Sequence, residues 1–227
     1  MSFKEFIKSL TNDGVESELI KTIFISLLTS FSLFVILYIL RFRYIPEFMP
    51  KYGFYIFFAI LSYALILPSI RHVRAYKEFP CMSGMMIGMT LGMIAGFLSG
   101  FYIGATNGMF YGSVFGIMIG VFFGAWNGKC CGIMGVMEGI MAGFMGGLMG
   151  GMTAIMMLND NLKAAAVIVF IVSAIIIIGL NFMIYKETRS TERKHKDSEL
   201  FVVVMSFILT SITIWIMVFG PRSVLFT

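Results

Sequence analysis

Gly84-Met-Met-Ile-Gly88-Met-Thr-Leu-Gly92-Met-Ile-Ala-Gly96-Phe-Leu-Ser-Gly100 opens the stretch whose reading decides the fold. Glycine recurs at every fourth position from Gly84 to Gly132, thirteen times in succession, then slips by one residue to Gly135, Gly139, Gly143, Gly147 and Gly151. Almost everything between is Met, Ile, Phe, Leu or Val. Four residues of α-helix advance the chain by about 400°, so these glycines lie nearly above one another on one face. A face without side chains lets two backbones approach closely, and in lipid it is close packing that holds helices together. The pattern predicts a glycine-zipper core inside a membrane, with Gly84, Gly88, Gly92, Gly96, Gly139, Gly143 and Gly147 as packing positions.

One helix from Gly84 to Gly151 would be roughly 100 Å long, against a hydrocarbon layer of about 30 Å. The stretch must fold back. Two near-identical sequences mark the turns, Gly104-Ala-Thr-Asn-Gly108 and Gly124-Ala-Trp-Asn-Gly128, each with an Asn-Gly dipeptide. Three helices follow, over 81–104, 108–126 and 130–158.

Outward from this core the chain stays apolar. Of its 227 residues 59% are hydrophobic and 13% charged, with a mean hydropathy of +0.92, which is the composition of an all-α, multi-pass membrane protein. Residues 1–19 read as an interfacial amphipathic segment, with Phe3, Phe6, Ile7 and Leu10 on one face. Residues 20–79 hold two spans, Ile20 to Leu40 and Gly53 to Ile70, the second followed by a basic connector from Arg71 to Glu78. The first is too long for the apolar region of a cleavable signal peptide and reads as a retained span. Residues 80–158 are the Gly/Met-rich core. Residues 159–227 add spans at Ala164 to Tyr185 and Leu200 to Phe219 around a charged loop, for seven spans in all.

Seven spans place twelve Lys and Arg residues on the side of the N-terminus and five on the other. The excess predicts a cell-membrane protein with its N-terminus in the cytoplasm. Loop cations also account for the net charge of +5, and no basic and aromatic interleaving points to nucleic acid. The partners expected are the lipid bilayer and either a second copy or another membrane protein. No nucleophile elbow, P-loop, dinucleotide fingerprint or His-Glu-x-x-His occurs, so the chain does not read as an enzyme. His72 and His195 fall in basic loops and read as solvated.

Methionine is the second anomaly. Fifteen of the 20 methionines lie between Met82 and Met157. On the fifth helix, Met134, Met137, Met141, Met145, Met149, Met152 and Met156 occupy an arc of about 120°, opposite the glycines, and Glu138 lies in the same arc. Met82, Met85, Met86, Met89 and Met93 share an arc of about 100° on the third helix. Cys81 begins that helix and Cys130-Cys131 begins the fifth, so all three cysteines belong to one membrane face. Thiols and thioethers are soft ligands that suit Cu(I). The candidate metal residues are Cys81, Cys130, Cys131, Met82, Met85, Met89, Met134, Met137 and Met141, with Glu138 as an intramembrane charge or proton partner.

Met82-xxx-Met86, Met85-xxx-Met89 and Met89-xxx-Met93, beside Gly-xxx-Gly repeats, resemble the motif pair of Ctr-type copper transporters, in which methionine rings pass Cu(I) along a trimer axis. The resemblance covers about 12 residues. It implies stacked thioethers as a Cu(I) path, not the family's fold or oligomer, since those proteins have three spans and a His-Cys-His terminus. Soft-metal passage or sensing is one reading. The other is a structural or assembly subunit whose glycine stripes dock other membrane helices and whose methionines are adaptable packing.

Overall fold

The computed structural model describes residues 17–40, 52–75, 80–129, 132–188 and 199–222. They form seven helices: α1 (Ser17–Leu40), α2 (Phe54–Ala75), α3 (Cys81–Asn107), α4 (Met109–Gly128), α5 (Gly132–Met156), α6 (Leu162–Thr188) and α7 (Glu199–Phe219). All seven are long and apolar enough to cross a membrane. The described residues include no strand. Of the interfacial segment expected over residues 1–19, residues 1–16 lie outside the described residues and 17–19 open α1.

α3, α4 and α5 pack most tightly on one another, and their glycine faces meet. A Cβ added at Gly88 would fall 2.9 Å from the Cα of Gly128, and one at Gly92 would fall 2.9 Å from the Cα of Gly124. Gly96 and Gly120, then Gly100 and Gly116, continue this antiparallel ladder between α3 and α4. Gly128, Gly124, Gly120 and Gly116 meet Gly135, Gly139, Gly143 and Gly147 across α4 and α5 in the same way. The third edge is parallel: Gly88, Gly92, Gly96 and Gly100 of α3 face the carbonyl oxygens of Gly135, Gly139, Gly143 and Gly147. The one-residue slip from Gly132 to Gly135 falls in the first turn of α5, and the four-residue period then continues from Gly135 to Gly151.

The first connection is a single residue. Asn107 still belongs to α3 and Met109 already belongs to α4, so Gly108 makes the whole reversal with a φ of 110°. That conformation favours glycine because a Cβ would clash with the backbone. The Gly108 N–H donates to the Gly104 carbonyl at 3.2 Å and the Gly108 carbonyl accepts from the Gly112 N–H at 3.0 Å, so the glycine caps both helices. The helices therefore run closer to the turns than the expected ends at 104 and 126.

The remaining helices flank this core, with α2, α6 and α7 against α3, and α1 against α2 and α7. Here the sequence reading needs correction. α2 does not stop at Ile70 but continues to Ala75, so Arg71, His72 and Arg74 are helical rather than parts of a connector. Ile66, Ile70 and Val73 are buried at helical spacing, and that apolar edge carries the helix past its first basic residue. His72, expected to be solvated, is buried.

Candidate functional site

The methionines stand on the outside of the core. Because the glycines of α5 are turned inward, Met134, Met137, Met141, Met145, Met149, Met152 and Met156 on its opposite face are all exposed, with Met137 at 56% and Met141 at 64%. On α3, Met82, Met86, Met89 and Met93 are exposed and Met85 is half-buried. No channel between α3, α4 and α5 is lined by them, for the space there is filled by backbone.

The two methionine arcs adjoin. A Cβ added at Gly146 would fall 2.9 Å from the Cα of Met93, so the edge of α5 beside Met145 leans on α3 at its methionine edge. That contact also fixes their depths: Met93 lies near the level of Gly146, and Met89 one turn before it along α3. The result is one outward surface built from two helices.

Glu138 lies within this surface and is exposed. It sits roughly 9 Å along a helix about 37 Å long, hence about 5 Å inside a 30 Å hydrocarbon layer. Among the described residues it is the acidic group deepest in any span. An acidic side chain at such depth is costly toward lipid, and is ordinarily turned to a cavity or a partner.

Cys81 is the first residue of α3, at the end of the bundle where α5 also begins. Cys130 and Cys131 lie outside the described residues. No group of three His, Cys, Asp or Glu side chains that could hold a metal occurs among the described residues.

At the same end of the bundle lies a polar cluster that the sequence reading missed. Arg71 Nη1 donates to Thr22 Oγ1 of α1 at 2.8 Å. His72 Nδ1 donates to Asn181 Oδ1 of α6 at 3.3 Å, and Asn181 Nδ2 donates to Ser69 Oγ at 2.9 Å. The Arg74 guanidinium lies 5.2 Å from the ring centre of Trp126 on α4 and 4.5 Å from that of Phe201 on α7. One turn of α2 is thus tied to four helices. Asn181, a lone amide within an otherwise apolar span, was the available signal.

The opposite end is tied as well. Asn107 is buried and its Nδ2 donates to the carbonyl of Ile216 at 2.8 Å and to that of Pro221 at 3.4 Å. Arg222 donates to the Tyr52 hydroxyl, just before α2. These contacts fix the outer helices on the core and leave the methionine surface open. No protein-family model, no curated protein and no solved structure matches the chain.

Proposed function

We propose that this membrane protein handles Cu(I), by passage or by sensing, on the methionine surface of α3 and α5. The observation that carries the reading is segregation. Eleven methionines are exposed on α3 and α5, whereas the exposed large side chains of α1, α6 and α7 are Ile, Leu, Val, Phe and Trp without one methionine. A requirement for apolarity alone would not sort the two chemistries onto different helices. Thioether sulfur differs from a branched alkyl group in being a soft donor, and Glu138 adds a carboxyl oxygen to the same surface. In this reading Cys81, Cys130 and Cys131 form the mouth where α3 and α5 begin. That end is cytoplasmic, because most short-loop Lys and Arg residues belong to it.

The competing assembly reading relied on glycine stripes free to dock other helices. Most glycines of α3, α4 and α5 between Gly88 and Gly147 face one another, so an assembly role would call on another surface of the molecule. The test is metal content by mass spectrometry on protein purified in detergent under reducing conditions and supplied with Cu(I), Ag(I) or Zn(II). Stoichiometric Cu(I) and Ag(I) without Zn(II) is expected, lost when Met137, Met141 and Met145 are together replaced by Leu. Leu and Met are close in volume, so this variant keeps its fold. A wild-type protein that retains neither soft metal overturns the reading.

A further inference from the structure

We infer that the methionine surface is the contact between two copies of this chain, paired about a two-fold axis along the membrane normal with α5 at the centre. The inference does not depend on the metal reading. It begins with Glu138, exposed within the hydrocarbon layer, where lipid offers no hydrogen-bond partner. An acidic side chain at that depth is ordinarily turned to a cavity or a partner, which points to a cover over that part of α5.

A second copy meets the requirement from its own sequence. Copies of a membrane protein insert with one orientation, so a symmetric pair related by an axis along the membrane normal sets every residue opposite residues at its own depth. Groups near the axis then meet themselves. A carboxyl group in its protonated form is both donor and acceptor, and two Glu138 side chains at one depth can hydrogen-bond to each other. A partner of different sequence would have to bring a matching polar group to that depth, whereas a copy brings one by symmetry.

Extent and texture agree. Eleven methionines between 41% and 80% exposed present an area on the order of the 800 Å² per partner of a standard interface. Their unbranched side chains adapt to a facing copy of themselves better than stiff β-branched ones would. The α6 face of Ile171, Ile175 and Ile178 carries no polar group at comparable depth and suits lipid.

Disulfide crosslinking in lipid vesicles tests the inference. Single substitutions Met141→Cys, Met145→Cys and Ile175→Cys are made in a chain whose three native cysteines are replaced by Ser, with a Cu(I) chelator present so that failure of the metal reading leaves this test intact. After mild oxidation by diamide, a covalent dimer is expected from the two α5 positions and not from Ile175→Cys. Glu138→Leu should lower dimer association by roughly tenfold, the worth of one intramembrane hydrogen-bonded pair, while Glu138→Gln keeps it. Mass photometry in nanodiscs gives the oligomeric state of the unsubstituted chain independently, so a misfolded variant does not decide the matter. Monomers in nanodiscs, or equal crosslinking from α5 and α6, overturn the inference.

Discussion

The core of α3, α4 and α5 and the surrounding helices α1, α2, α6 and α7 meet the same apolar solvent with opposite solutions. In the core, side chains are removed so that backbone touches backbone, and specificity comes from the glycine period. In the surrounding helices side chains fill the gaps, and specificity comes from a few buried polar contacts, such as Arg71 with Thr22, His72 with Asn181 and Tyr63 with Thr213 at 2.7 Å. Without a hydrophobic drive toward association, a membrane bundle must use close packing or interhelical hydrogen bonds. This chain assigns one to each half.

The sharpest way to break the contrast is to add one carbon atom in each half. At Gly124 a Cβ would strike the backbone of Gly139, whereas at Gly179 on α6 nothing lies within 4 Å. Gly124→Ala should therefore cost about 3 kcal/mol or more, because the atoms it meets are backbone and cannot turn aside. Gly179→Ala should be neutral or gain up to about 1 kcal/mol of helix propensity. Thermal unfolding in detergent measures both, and a destabilisation of similar size at the two positions would erase the distinction between the halves.

A smaller effect is expected where the surrounding helices are held by polar contacts. Asn181→Leu removes the acceptor for His72 Nδ1 and the donor to Ser69 Oγ. Intramembrane hydrogen bonds are worth about 1–2 kcal/mol in model helices and less on average in a folded bundle, so a loss of about 1 kcal/mol is expected from the same unfolding assay. Asn181→Asp supplies the acceptor again and should recover part of the loss. An unchanged midpoint in Asn181→Leu would mean that shape alone seats α6 on α2.

The same division explains what could be read in advance. The core was legible because its rule is written in the chain as a period, and three helices with two short reversals follow from Gly84 to Gly151 by counting. The methionine and glycine faces of α5 were legible for the same reason, since their separation is an angle. The far end of α2 was not. Arg71, His72 and Arg74 look like a loop because basic residues ordinarily end a span, and no periodicity reports that Thr22, Asn181, Trp126 and Phe201 wait for them on four other helices. What lay beyond sequence was long-range side-chain pairing. The direction of the methionines was half legible: opposite the glycines was read correctly, but whether that meant inward or outward required knowing that the glycines fill one another's space.

The two halves also show different outer faces, and exchanging them gives the mildest test. Ile171, Ile175 and Ile178 lie on one exposed face of α6, spaced as three methionines on α5 are. Replacing all three by Met should leave stability within about 0.5 kcal/mol, since exposed substitutions away from special features rarely do more. In the chain whose Met137, Met141 and Met145 are Leu, the same replacement restores the number of exposed thioethers on a single helix whose one carboxylate, Glu187, lies in its last turn, away from the three positions, and which has no parallel methionine partner. Soft-metal retention, read by mass spectrometry, should stay absent. If it returns, sulfur count alone governs retention. If it does not, the paired register of α3 and α5 around Glu138 is what distinguishes the methionine surface from any other apolar face of the molecule.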